Sequence, residues 1–242
     1  MPETPVLEIK DLKTYFYSND SVVKAVDGVS LRAYAGRITA LIGGSGSGKS
    51  VMSRSVMGLI DEPGKIVGGE VWLNGRDLRT LSEKQMRMVR GREIAMIFQE
   101  PTAAMNPVIK VKNHLFEAAR FRDRQQTKTE KMASFRDVLQ RVMVAMGIIA
   151  NANVLIADEP TSSLDLTTQA SILEELLRLR DSGMAIILIT HDLGVVAQTA
   201  DDMYVIKDGK IVESGSVLEV FHAPKHPYTQ YLMEPINAEE LK

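Results

Sequence analysis

The chain has 242 residues, 45% of them hydrophobic and 25% charged, with a net charge of -2. That length and composition support one well-packed domain and exclude disordered and collagen-like classes. The near-neutral charge gives no bulk attraction to nucleic acid or anionic lipid, and the absence of cysteine removes disulfides and thiolate metal sites.

Short β-rich runs come first: VLEIK at Val6, KTYFY at Lys13, VVKAV at Val22 and VSLRA at Val29, divided by polar turns such as SNDS at Ser18. They predict an antiparallel opening sheet. RITALI, from Arg37 to Ile42, then feeds into a glycine-rich loop followed by a helix that stops near Gly58. EVWLNG at Glu70 predicts a strand ending in an Asn-Gly turn, and EIAMIF at Glu93 a buried strand. Later apolar runs, VLIAD at Val154, AIILIT at Ala185 and DMYVI at Asp202, alternate with helical stretches around Gln169 to Arg180 and Gly194 to Thr199. Such alternation predicts a largely parallel, helix-covered sheet. Between the two halves, a charge-rich helical stretch from about Val111 to Gly147 is the candidate for a small subdomain.

The chemistry begins at GGSGSGKS, residues Gly43, Gly44, Ser45, Gly46, Ser47, Gly48, Lys49 and Ser50. A glycine-rich turn between strand and helix lets successive backbone N–H groups face inward, and the helix adds its positive end, so the loop is a phosphate cradle. Lys49 supplies a charge to the β and γ phosphates of a nucleoside triphosphate, and the Ser50 hydroxyl can ligate magnesium. In VLIADEPTSSLD, Asp158 ends an apolar strand where a carboxylate can hold Mg2+ through water, and Glu159 beside it can orient or deprotonate an attacking water. Asp165 fits the cap of the following helix. His191, after the strand Ala185 to Thr190, projects toward the same place as a γ-phosphate sensor. His114, His222 and His226 read as surface residues and receive no metal.

With these residues in place, the chain resembles the nucleotide-binding subunits of ABC transporters, more narrowly the ATPases of the peptide and nickel importer group. The resemblance rests on AVDGVSL at Ala25, GGSGSGKS, FQEPTAAMNP at Phe98, LQRVMVAM at Leu139, IADEPTSSLD, ITHDLGVVAQTADDMYVIKDGKIVESG at Ile189 and HAPKHPYTQYL at His222. It implies an α/β P-loop NTPase of ABC type: a mostly parallel core sheet with helices, an N-terminal antiparallel β-subdomain and a shortened helical subdomain. The expected organisation is a single domain over 1–242, with a nucleotide-binding core from 1–107 and 151–242 and a truncated helical subdomain at 108–150. The resemblance makes Gln99 the magnesium-contacting residue of a mobile loop, Asp158 and Glu159 the Walker B pair, Ser162 to Asp165 a loop beside ATP and His191 the switch histidine. It also implies an aromatic stacked on adenine. Phe16 aligns best, since Tyr15 and Tyr17 point to the other face of the strand, although ordinary sheet packing accounts for Phe16 equally well.

Gly44, where many peptide-importer relatives carry Glu, and a tail without cysteines make the chain look most like the nickel-import members. ATP and Mg2+ are the implied cofactors. Transmembrane permease subunits, a second ATPase subunit in a heterodimer or homodimer, and indirectly an extracytoplasmic substrate-binding protein are the implied partners, with no nucleic acid. No apolar run approaches the roughly 20 residues that span a bilayer, and Met1 to Lys10 lacks a signal-peptide layout, so the expected location is peripheral, on the cytoplasmic face of the membrane.

One segment departs from the family. ABC ATPases sandwich each ATP between the phosphate loop of one subunit and a glycine-rich signature of the other, and relatives of this group read Ser-Gly-Gly-Met just before the Leu-Gln-Arg of LQRVMVAM. Here Phe135, Arg136, Asp137 and Val138 stand there, and the stretch from Val108 to Gln140 is shorter than the family's. Arg and Asp block the close backbone approach that glycines allow, and the Asp carboxylate repels a triphosphate. Met132, Phe135, Leu139, Val142, Met146 and Ile149 recur at spacings of three and four, predicting one helix that packs through an apolar stripe. The expectation is a subunit that needs a signature-bearing partner; the alternative is a remnant that binds MgATP without driving transport.

Overall fold

The computed structural model describes residues 3–99, 113, 152–162 and 165–239. The segment 135–138, the stripe Met132 to Ile149, His114 and most of the 108–150 subdomain lie outside the described residues.

Among the described residues, two sheets and the helices between and outside them enclose three hydrophobic clusters. The first is antiparallel, in the order β2-β1-β4-β5, built from β1 (Leu7–Tyr17), β2 (Val22–Ala33), β4 (Gly64–Leu73) and β5 (Arg76–Asp77). VLEIK and KTYFY were expected as separate strands, as were VVKAV and VSLRA; each pair is instead one continuous strand with an internal bulge. Between the pairs Ile9↔Leu31 and Leu12↔Val29, β1 places two residues against one of β2, and Asp11 takes a positive φ of 47°. Its N–H, displaced from the ladder, donates to the Ser30 hydroxyl at 3.0 Å. An unpaired residue held by a side chain bends the strand without ending it, so a polar interruption in the sequence is not a turn. The Asn74-Gly75 turn between β4 and β5 forms as expected, both residues having positive φ.

The second sheet has the order β10-β9-β3-β8-β7-β6, with β3 (Ile38–Ile42), β6 (Ile94–Ile97), β7 (Val154–Asp158), β8 (Ala185–Ile189) and β9 (Asp202–Lys207) all parallel. Antiparallel β10 (Lys210–Ser216) closes one edge. β3, β7 and β8 are buried at every position, as the unbroken apolar runs require of strands covered on both faces.

Helix α1 (Lys49–Val56) lies between the sheets. Its Met52 and Val56 join Leu7, Ile9 and Leu12 of β1 and Leu41, Ile156 and Ile187 of the parallel sheet in one cluster. Each such fully buried aliphatic side chain contributes about 1.5–3 kcal/mol. Between β5 and β6 runs α2 (Glu83–Val89), opened by a capping box of Ser82 and Gln85. On the far face α3 (Leu166–Asp181) lays Ile172, Leu173 and Leu176 over Leu155, Ile186 and Leu188. A third cluster forms where α4 (Leu193–Thr199), α5 (Val217–His222) and α6 (Pro227–Glu239) cover β3 and β9, and it includes Ile42, Val196, Val205, Val220 and Met233.

Candidate functional site

Four adjacent parallel strands, β3, β8, β7 and β6, end at the same edge of the sheet. The glycine loop follows β3, His191 follows β8, Asp158 and Glu159 stand at the end of β7, and Gln99 follows β6. The carboxyl edge of a parallel sheet is where the loops diverge and leave a crevice. Here that crevice is a cavity of about 620 Å3 lined by Ala25, Ser45 to Val51, Gln99, Glu159 and His191.

The loop is wedged rather than free. A Cβ on Gly43 would collide with the Ile206 carbonyl of β9, and one on Gly48 with the Ala25 carbonyl of β2. Gly48 also has φ 105°, the left-handed conformation that turns the chain into α1 at its N-cap. The Lys49 ammonium donates to the carbonyls of Gly43 at 2.7 Å and Gly44 at 2.9 Å, so the side chain folds back along its own loop. Burial pushes this amine below the ordinary lysine value, against the pull of the Glu159 and Asp158 carboxylates.

Asp158 is only 2% exposed, and its Oδ1 accepts from the Ser50 hydroxyl at 3.2 Å. Burial raises its carboxyl above the ordinary aspartate value, and the Ser50 hydrogen bond opposes that shift. Ionising a carboxyl whose folded-state pKa is raised costs stability. The cost is absent below the unfolded-state value, grows as pH climbs through the interval, and is fully present once both states are ionised. Asp158→Asn, which keeps an acceptor for Ser50, is therefore expected to stabilise the nucleotide-free chain at neutral pH by about 1 kcal/mol, or about 3 °C in unfolding midpoint. Thermal unfolding at pH 7.5 and at lower pH checks this, because the gain should shrink as the solution acidifies; a variant less stable than the wild type at neutral pH would sink the argument.

Glu159 adopts a left-handed φ of 47°, a conformation that costs a non-glycine residue free energy and is kept where the surroundings impose it. Its N–H donates to the Ile189 carbonyl at 2.8 Å, and its own carbonyl accepts from the N–H of Ser162 at 3.2 Å. The carboxylate is held at both oxygens: Gln99 Nε2 donates to Oε2 at 3.1 Å, and His191 Nδ1 lies 3.3 Å from Oε1. Gln99, Glu159 and His191 thus form one hydrogen-bonded row in the lining of the cavity.

The donor set of Ser50, Asp158 and Gln99 offers only hard oxygens, a hydroxyl, a carboxylate and an amide carbonyl. Mg2+ retains waters and takes phosphate oxygens, needing one or two carboxylates from the protein, and these residues fit it. Among the described residues no group of three or more His, Cys, Asp or Glu side chains could hold a metal unaided.

Five predicted residues do not line the cavity: Gly43, Gly44 and Asp158 bond to the lining residues Lys49 and Ser50, whereas Phe16 and Asp165 stand apart from it. Phe16 is half-buried in β1 opposite Val23 and Gly64, with its ring edge over Gly64, and it does not line the cavity. Tyr15 lies on the other face, as expected, with its hydroxyl donating to Asp27 at 2.6 Å. Asp165 caps α3: its carboxylate accepts the Thr168 N–H at 3.0 Å and the Thr168 hydroxyl at 2.7 Å, which hold it below the ordinary aspartate range. Ser163 and Leu164, in the loop before it, lie outside the described residues.

Ala25 at the cavity wall and Tyr228 on the loop were not anticipated. The Tyr228 hydroxyl accepts the Gly44 N–H at 2.7 Å across 184 residues of sequence, and no local pattern announces such a contact. A second cavity of about 520 Å3 lies by the opposite, N-terminal ends of β3 and β9, but its arginines are engaged, Arg32 with Glu8 at 2.8 Å and Arg37 with Asp202 at 3.1 Å.

A family profile described as "ABC transporter" matches residues 26–162. The chain is 39% identical to the dipeptide transport ATP-binding protein DppD of Escherichia coli (strain K12), over 255 residues covering 96% of this chain and 78% of that protein. It is 41% identical to the oligopeptide transport ATP-binding protein OppD of Bacillus subtilis (strain 168), over 256 residues covering 95% of this chain and 71% of that one. Among solved structures, the dimeric post-hydrolysis state of the ATP-binding cassette MJ0796 bound to ADP and Pi superposes with a TM-score of 0.78 at 22% identity, covering 87% of this chain and 98% of that one. At that identity the likeness shows a shared fold.

Proposed function

The chain belongs to the ABC transporter family, as an ATP-binding cassette of the peptide-importer type, and on that footing we propose that it is the ATP-hydrolysing motor subunit of a peptide importer. The observation that carries this reading is the convergence of the glycine loop, Glu159, Gln99 and His191 on one cavity, with buried Asp158 behind it bonded to Ser50.

Within that site, the N–H groups of Ser45 to Ser50 and the Lys49 ammonium bind the phosphates, while Gly43 and Gly44 hold the lysine in place. Ser50, Asp158 and Gln99 would hold Mg2+, which when bound neutralises phosphate charge. Glu159 takes the proton of the attacking water, and His191 steadies its carboxylate beside the γ phosphate. Asp165 acts through the loop it ends, and Phe16, which stands outside the cavity lining, is the aromatic assigned to adenine. Of the two cargo classes, peptide is supported by the relatives named for dipeptides and oligopeptides, whereas nickel rests on Gly44 and the cysteine-free tail alone.

We further propose that 108–150 is a truncated helical subdomain without a working signature. The alignments to relatives run over 255 and 256 residues against the 242 of this chain, so parts of those proteins have no counterpart here, in keeping with a shortened segment. The working assembly then contains permease subunits and a second ATPase that supplies a signature, with a substrate-binding protein delivering cargo outside. Among the described residues no helix is long and apolar enough to cross a membrane. In the proposed assembly the permease holds the chain at the cytoplasmic face.

Purified chain is expected to bind MgATP but to turn it over at least about 100-fold more slowly than the mixed assembly, the scale lost when a set of transition-state donors is missing. Hydrolysis measured across a wide protein-concentration range, with and without the permease and partner ATPase, tests this. Turnover rising faster than linearly in the chain alone, and vanishing in Glu159→Gln, would show that two copies close their own sites. Silence even with both partners would favour the remnant that binds MgATP without driving transport.

A further inference from the structure

The third core cluster carries a contact that the site chemistry above does not use. The C-terminal helix α6 is seated by a sequence of local bonds. The Glu213 carboxylate of β10 accepts the N–H groups of Lys225 at 2.8 Å and His226 at 3.0 Å. His226 Nδ1 in turn accepts the Tyr228 N–H at 3.1 Å, capping the first turn. Met233, buried with Ile42 and Val205, anchors the helix from below, with Tyr228 and Leu232 packed against the same cluster. The Lys207 ammonium lies 5.0 Å from the centre of the Tyr228 ring. So fixed, the Tyr228 hydroxyl meets the Gly44 N–H at 2.7 Å.

The N–H of Gly44 and the carbonyl of Gly43 belong to one peptide unit. In a trans peptide these two groups point in opposite directions from one plane. Here one end donates to Tyr228 and the other accepts from Lys49 at 2.7 Å, so the peptide is held from both sides. Rotating it would break both bonds and turn a carbonyl away from the lysine that the loop positions.

We propose that Tyr228 is a positioning residue of the nucleotide site: its hydroxyl fixes the Gly43–Gly44 peptide so that the Gly43 carbonyl faces Lys49, making the C-terminal helix part of the phosphate loop's support. The inference rests on the nucleotide-site reading above and extends it to an element far from the phosphates in sequence. The contact is also sterically tuned, since a Cβ on Gly44 would stand 3.0 Å from the Tyr228 hydroxyl and push it back.

Tyr228→Phe keeps the ring packing and the face offered to Lys207 but deletes the acceptor. It is expected to weaken MgATP binding about five-fold, the scale of one neutral hydrogen bond. In amide hydrogen exchange of the nucleotide-free full chain, the Gly44 N–H should be protected in the wild type and exposed in the variant. Gly44→Ala should weaken binding through the same contact, so the double variant should bind no worse than the weaker single one. A tail that merely aids folding would leave Gly44 protection unchanged or give additive losses, and either result overturns the proposal, as does wild-type affinity in Tyr228→Phe. Wild-type binding that is absent or indifferent to Lys49→Ala would instead overturn the nucleotide-site reading, and the inference with it.

Discussion

Glu159→Gln is expected to leave MgATP affinity within about two-fold of the wild type, the scale of a substitution that breaks no packing, and to slow hydrolysis in the assembled transporter by about 10²–10⁴-fold, the span a positioned base contributes. The reason lies in how the side chain is held. The backbone at Glu159 sits in a left-handed conformation, and Gln99 and His191 occupy one carboxylate oxygen each. A glutamine can keep an acceptor toward Gln99 and a donor toward His191, so shape is retained while the proton acceptor is lost. Nucleotide titration and single-turnover hydrolysis on the same preparation separate the two effects. Loss of binding equal to the loss of rate would mean that Glu159 builds the site and does not act on water.

Lys49→Ala should instead strike binding, lowering MgATP affinity about 100-fold, since hydrogen bonds from a charged group are worth about 1.5–3 kcal/mol and the proposed role gives the ammonium more than one phosphate to meet. The ammonium is already oriented by two loop carbonyls, so little ordering remains to be done when phosphates arrive. Folding should change little, because removing a partly desolvated amine offsets the loss of those carbonyl contacts. Calorimetric titration with MgATP and with AMP checks the assignment: the triphosphate should suffer and the monophosphate should not. Equal weakening of both would place Lys49 away from the β and γ phosphates.

The two effects arise from different strands. Lys49 acts from the loop after β3 and Glu159 from the end of β7, with β8 and its His191 between them. This order matters because a parallel sheet brings equivalent ends side by side at about 4.8 Å per strand, so residues distant in sequence share one edge. The row Gln99, Glu159 and His191 is therefore a product of strand order, and a substitution that shifts β8 against β7 would separate the histidine from the carboxylate.

The elements whose physics is local were legible in the sequence. ITALI, VLIAD and AIILI are continuous apolar runs, and only a strand covered on both faces buries every side chain in a row. The glycine loop was legible as a strand-loop-helix turn because its glycines, lysine and serine stand within eight residues, and it follows β3 and opens α1 as that pattern requires. β1 and β2 were read as four short runs, whereas Asp11 and Gly28 sit at bulges within two continuous strands that pair with each other. Asp165 was recognisable as a helix cap from its neighbours alone, and its bonds to Thr168 lie within that first turn.

What the sequence determined by itself is the set of groups available: a glycine-rich loop between strand and helix, two adjacent carboxylates at a strand end and a histidine after a strand, each read from its own segment. What the tertiary structure alone decided is which of these groups meet. Strand order β3-β8-β7-β6 brought Gln99 and His191 to the same carboxylate, and the docking of α6 carried Tyr228 across 184 residues to the Gly44 N–H. Contacts of that span depend on how layers stack around a shared core, and no periodicity within a single segment encodes them.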